Sequence, residues 1–266
     1  MLSTTVIIVL REVLEASLLI SILAALSGTV GTSRHWVPAS LSLGLAGAVT
    51  FSLAIDTVSQ WLDGFGQEIV GAAMQVGMYL CLVAIALLAL GRGRSRGRSA
   101  WLQGLMALTV AMAVTREGFE VLVYVYGFLG ATSQMMTALI GVVIGAGIGV
   151  SIGVLVYYLL RSSAIQDRPA AAFCLLGLLG SGLLLQATTL LMQADWLPSD
   201  TPLWDTSDWV PENSVTGQLF YVLVGYEATP TAMQVGVYMT GLAALVAIAL
   251  WMGRADYRTP DGSGPP

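Results

Sequence analysis

The sequence predicts an all-α integral membrane protein of seven transmembrane helices. They form a 3+3 inverted-topology repeat with a seventh helix appended, N-terminus outside and C-terminus cytoplasmic. Three observations carry this. The 266 residues are 56% hydrophobic and only 10% charged, with a mean hydropathy of +0.79, a balance that soluble domains rarely reach. The apolar residues fall into seven runs, each near the ~20 residues a helix needs to cross a bilayer core of roughly 30 Å. A charged pattern, Arg-Glu-x-x-Glu, interrupts the first and the fourth of those runs, at Arg11 and again at Arg116.

The first run spans Leu2 to Leu26, the second Val37 to Ile55, and the third Glu68 to Leu90. After an arginine-rich stretch come Ala100 to Leu129, Met135 to Leu160 and Ala170 to Met192. A polar and aromatic connection, 193–231, precedes the seventh run, Ala232 to Met252. The chain thus reads as one transmembrane domain, 1–252, with repeat one at 1–90, repeat two at 100–192 and an external loop at 193–231. The Gly- and Pro-rich end, 253–266, reads as a disordered cytoplasmic tail.

Loop charges orient the bundle, because arginine is retained on the cytoplasmic side. Lysine is absent, and outside the two motifs the arginines are Arg34, Arg92, Arg94, Arg96, Arg98, Arg161, Arg168, Arg254 and Arg258. All fall between runs one and two, three and four, five and six, or after run seven. The opposite connections carry Asp56, Asp63, Asp195, Asp200, Asp205, Asp208 and Glu212, with Glu68 and Glu227 at their margins. The basic cluster is read as a topology signal beside a membrane, and no nucleic-acid partner is expected. Cys81 and Cys174 lie in apolar runs without CxxC spacing, and the single histidine, His35, sits beside Arg34 in a short loop. Neither a disulfide framework nor a zinc site is indicated.

Within each motif Arg and the second Glu are four residues apart and the two Glu three apart, so all three project over one helix face. An ionised side chain at the bilayer centre costs roughly 2.5–3.5 kcal/mol on insertion scales, and such residues mark functional sites. Pairing inside each helix leaves one carboxylate per motif without a cation. Three helices separate the motifs, so helix four runs antiparallel to helix one, and the repeat brings the two clusters together at the midplane, where many carriers place their substrate. Four carboxylates, Glu12, Glu15, Glu117 and Glu120, with Arg11 and Arg116 to orient them, sum to a charge of −2. The donors are all hard oxygens, which suit magnesium, calcium, manganese or iron and not copper(I) or zinc.

Further polar residues extend the reading. Gln75, Gln186, Thr188 and Thr189 either line a path or hydrogen-bond between helices. Met74 and Met78 lie one turn apart in the third helix and are read first as core or lipid contacts. Gly141, Gly145, Gly149 and Gly153 form a small-residue face suited to close packing. In the long connection, Asp205, Asp208, Glu212 and Glu227 are candidates for an external entry, beside tryptophans of the kind that sit at headgroup level.

The stretches Arg11-Glu12-Val13-Leu14-Glu15 and Arg116-Glu117-Gly118-Phe119-Glu120 resemble the paired motifs of the oxidase-dependent iron permease family, which includes the fungal high-affinity iron permease and the bacterial EfeU-type transporter. The similarity continues through Trp204-Asp205-Thr206-Ser207 to Gly225-Tyr226-Glu227, stretches like those of the bacterial branch. The resemblance implies an iron permease with the motif glutamates as ligands during permeation, iron as transported substrate and no permanently bound cofactor. It also implies residence in the plasma membrane, for a bacterium the inner membrane, and an extracytoplasmic iron-oxidising or iron-delivering protein as partner. Without the resemblance the residues also describe a proton-coupled carrier for manganese, magnesium or calcium, and less well an intramembrane metal-dependent enzyme or a metal sensor. No Ser-His or Cys-His set supports the enzyme reading.

Overall fold

Residues 2–90, 96–128, 132–162, 169–198 and 200–256 are described in the computed structural model of the protein. They contain eight α-helices and no strands: α1 Leu2–Val30, α2 Trp36–Ser59, α3 Gly66–Leu90, α4 Arg96–Tyr126, α5 Thr132–Arg161, α6 Pro169–Gln193, α7 Val215–Val224 and α8 Ala232–Asp256. A single 3-10 turn, Leu62–Gly64, joins α2 to α3. The helix α4 begins at Arg96, earlier than the expected Ala100, so the end of the arginine-rich stretch is already helical. Likewise α8 continues to Asp256, past the expected Met252. The remainder of the tail, Arg92, Arg94 and Arg168 lie outside the described residues.

Five helices, α2, α3, α5, α6 and α8, are long and apolar enough to cross a membrane. Two more, α1 with 29 residues and α4 with 31, carry the charged motifs through the middle of the bundle. Large apolar side chains face outward on the helices around them, among them Leu53 at 83%, Val143 at 71% and Leu155 at 67% exposure. Water would penalise such a surface, and hydrocarbon accepts it. The core lies between the central helices: Leu19, Ile22, Leu23 and Leu26 of α1 meet Met78, Leu82 and Ile85 of α3 and Leu102, Met106 and Val110 of α4.

Each motif helix is braced by a neighbour from the other half of the sequence: α1 lies along α5, and α4 along α2. Glycine makes both contacts possible. A Cβ at Gly145 would sit 2.7 Å from the Val6 carbonyl oxygen and 3.0 Å from the Leu10 nitrogen. At Gly44 it would meet Val114 Cβ at 2.6 Å. Hydroxyls then use the closeness: Ser17 Oγ donates to Gly149 O at 2.9 Å, Ser21 Oγ to Gly153 O at 2.7 Å, and Thr115 Oγ1 to Gly44 O at 3.2 Å. The expected packing face of α5 is therefore present, seated on α1.

The connection 193–231 is folded and holds a helix that its loop reading did not anticipate. Its ends meet where Leu203 N–H donates to Pro230 O at 2.8 Å and Thr206 N–H to Ala228 O at 3.0 Å. Between them α7 turns inward and packs on α6 and α1, burying Val222 against Leu14 and Leu18.

Candidate metal-transport site

The two motifs meet where α1 and α4 cross. Within the first, Arg11 Nε stands 3.4 Å from Glu15 Oε1 and 3.7 Å from Glu12 Oε1. Within the second, Arg116 is 2.5 Å from Glu117 Oε1 and 2.9 Å from Glu120 Oε1. Arg116 also reaches across to Glu15 Oε2 at 3.8 Å, so the clusters form one network. Above it, Thr5 and Tyr124 share a hydroxyl hydrogen bond of 2.9 Å that ties α1 to α4.

Within this network the glutamates divide by environment. Glu12, Glu117 and Glu120 each present a carboxylate oxygen, and the three lie within 4.8 Å of one another. Two of their oxygens, Glu12 Oε2 and Glu117 Oε2, are buried without a hydrogen-bond partner. A buried carboxylate oxygen without a partner is costly. Glu15 is held elsewhere. Besides both arginines it accepts a hydrogen bond of 3.0 Å from Gln186 Nε2, and Gln186 in turn accepts one from Gln75 Nε2. Gln75, 0% exposed, thus anchors a relay from α3 through α6 to α1.

A cavity of about 460 Å³ opens over the cluster from the end of the bundle that holds the start of α1. Arg11, Glu12, Arg116 and Glu120 line it together with Glu68, Met74, Gln186, Thr189 and Tyr221. Deeper in the bundle a pocket of about 30 Å³ touches Glu15, Glu117, Met78, Gln186 and Tyr221. The expectations about polar lining therefore separate. Gln186 and Thr189 face the cavity; Thr189 also accepts from Gln234 Nε2 at 2.9 Å, while Thr188 Oγ1 returns to Leu184 O of its own helix. Met78, read first as a core or lipid contact, lies in the core and also touches the deeper pocket, while Met74 lines the cavity.

None of the four acids named in the connection lines this cavity. Asp205 and Asp208 are exposed; the Ser207 hydroxyl first, and then the Ser207 N–H that donates to Asp205 at 2.9 Å, hold the Asp205 carboxyl below the ordinary value. Glu212 Oε1 accepts the Ala228 N–H at 3.0 Å and so closes the folded connection. Glu227, burial first and the Glu212 carboxylate second, is pushed up to about 7. One residue at the site went unread in the sequence: Tyr221 of α7, whose ring lies 4.4 Å from the Arg11 guanidinium carbon. The signal was present in Ser214 and Gly225, a capping pair around ten apolar-rich residues.

A bundle of apolar helices that buries a cluster of carboxylates and guanidiniums at its centre, below an open cavity, defines a multi-pass membrane protein with a buried acidic cluster. The chain belongs to the Iron permease FTR1 family, whose sequence pattern matches residues 1–259. Membership makes iron the transported substrate. Comparison with curated proteins gives no match, and comparison with solved structures gives none either.

Proposed function

We propose that the protein moves iron inward across the plasma membrane, in bacteria the inner membrane, through a midplane site built from its two Arg-Glu-x-x-Glu motifs. The observation that carries this reading is the convergence of Glu12, Glu117 and Glu120 from two different helices, with two oxygens lacking partners. These three supply hard oxygen ligands, and Glu15, fixed by both arginines and Gln186, stands behind them as the next carboxylate along the path. Arg11 and Arg116 orient the glutamates and moderate their charge, so that an ion leaves as well as enters.

The direction follows from the loop arginines, which put the start of α1, and with it the cavity mouth, outside. Seven spans, α1 to α6 and α8, in a 3+3 inverted repeat plus one give this arrangement, and the reciprocal bracing of α1 by α5 and α4 by α2 supports it. Asp205, Asp208, Glu212 and Glu227 then belong to the external face, with Trp196, Trp204 and Trp209 exposed beside them. That face is where an iron-oxidising or iron-delivering protein would dock.

Purified protein in liposomes, supplied with radioactive iron of fixed oxidation state, tests the proposal. Accumulation that depends on Glu12 and Glu117 is the expected result. Equal uptake of manganese, magnesium or calcium without uptake of iron would give the site to another hard cation, and substrate turnover without uptake would make it an enzyme.

A further inference from the structure

The cavity and the deeper pocket share two lining residues among those described, Gln186 and Tyr221. These two side chains stand between a space of about 460 Å³ and one of about 30 Å³. A water needs on the order of 10–15 Å³ measured this way, so the inner pocket admits one or two waters while the outer cavity is amply wet. Tyr221 is delivered by α7, a helix too short to span. The helix is built as a discrete, capped piece. Ser214 Oγ accepts the Gly217 N–H at 3.0 Å, and Gly225 ends it at φ 67, in the left-handed region. A Cβ there would also strike the Tyr238 ring at 2.7 Å, so the chain can reverse at this point only with glycine.

The contacts that hold α7 in place centre on its last turn. Tyr238 Oη donates to Val224 O at 2.6 Å, Val222 packs on Leu14 and Leu18, and Tyr221 lies over Arg11. The same Arg11 is 3.4 Å from Glu15. The plug is therefore coupled to the charged network by the guanidinium it covers.

We propose that Tyr221 and Gln186 form the septum of the transport path, with α7 as an inserted plug that keeps the carboxylate cluster in contact with one side of the membrane at a time. An ion held by Glu12 and Glu120 on the cavity side passes to the inner pocket, with Glu117 and Glu15 on its wall, when the Tyr221 ring leaves Arg11. Carriers that alternate access place irregular or short helical pieces of this kind at mid-membrane, where they line a cavity. The proposal rests on the transport reading of the same site, and its test is independent of which ion is carried.

The test uses full-length protein in liposomes, with Cys81 and Cys174 replaced by serine and a charged, membrane-impermeant thiol reagent added to each side in separate samples. Met74→Cys reports on the outer cavity and Leu179→Cys on the inner pocket. A minor open state of about 10% or less makes the inner reporter at least ~10-fold slower than the outer one from the cavity side. Adding Tyr221→Ala raises the inner rate toward that of Met74→Cys, whereas Tyr221→Phe, which keeps the ring over Arg11, leaves it protected. Tyr221→Leu and Gln186→Ala serve as second variants if the alanine protein is not monodisperse. Equal labelling at both reporters with Tyr221 in place overturns the septum, as does continued protection in every folded variant lacking the ring or the amide. Failure of iron uptake with the labelling pattern intact would instead count against iron as the cargo.

Discussion

Replacing Gln186 by leucine removes the middle of the Gln75–Gln186–Glu15 relay, and the structure sets the size of the effect. Gln75 is fully buried, its Oε1 already lacks a partner, and its Nε2 has Gln186 as acceptor. In Gln186→Leu the whole Gln75 amide is orphaned, and Glu15 loses a donor at 3.0 Å. An unsatisfied buried group costs about 1–3 kcal/mol. Interhelical hydrogen bonds in membranes average only about 0.6 kcal/mol, with a maximum near 1.7. With no exposure at Gln75, the upper half of the roughly 1–3 kcal/mol range applies, and Gln186→Leu should destabilise by about 2–3 kcal/mol. In Gln75→Leu the change is smaller, because one orphaned oxygen disappears as another is created. The double variant then costs less than the two singles added together, with a coupling of about 1 kcal/mol or more. Reversible unfolding of the four proteins in mixed micelles, followed by circular dichroism, gives the cycle. Additivity within about 0.3 kcal/mol would show that the relay does not exist as drawn.

Glutamine at Glu12, Glu117 or Glu120 should each reduce iron uptake in liposomes by an order of magnitude or more, and pairs drawn from both motifs should add little, since ligands of one ion act as a unit; independent, multiplicative losses would mean two separate sites. Gly145→Ala places a methyl 2.7 Å from a backbone oxygen of α1, so α1 must lift from α5 at a cost of about 1–3 kcal/mol; an unchanged unfolding midpoint would contradict the packing, with exposed Gly147→Ala as the control. The raised Glu227 titrates from an unfolded value near 4.5 to about 7 in the folded connection. The folded state therefore binds the extra proton within that window, and the connection is held most firmly at its acid end and loosens as pH rises through about 7. Amide exchange across residues 200–230, corrected for intrinsic rates, should show this, and Glu227→Gln should flatten the profile.

The meeting of the motifs was legible in the sequence because buried charge is expensive and periodic: arginine and glutamate at four-residue spacing in apolar runs leave few alternatives. What spacing could not supply was the division of labour among the glutamates. That Glu15 turns to Gln186 while Glu12 joins Glu117 and Glu120 depends on how α1 is rotated against α4 and α6, which is decided by glycine and serine contacts with α5. Gln75 was recognised as a buried polar residue, yet its partner lies in another helix and no local pattern names it. The α7 helix was missed for a simpler reason. A ten-residue apolar-rich segment is too short to span and sits among prolines and acids, so its caps were the sole local sign of it.

The reciprocal bracing of α1 and α4 also has a bearing on how the chain is made. Ser17 and Gly149, which bond at the heart of the first brace, are 132 positions apart. At a synthesis rate of about 5–20 residues per second, α1 with its three charges emerges roughly 7–26 s before the helix that shelters it. During that interval the first motif must remain beside the insertion machinery or be shielded by other proteins, because its glycine-bearing cradle has not yet been translated. The N-terminal half is thus not an autonomous folding unit. Cutting the gene between the two halves should give fragments that are degraded when expressed singly and survive when expressed together, each completing the other's charged helix.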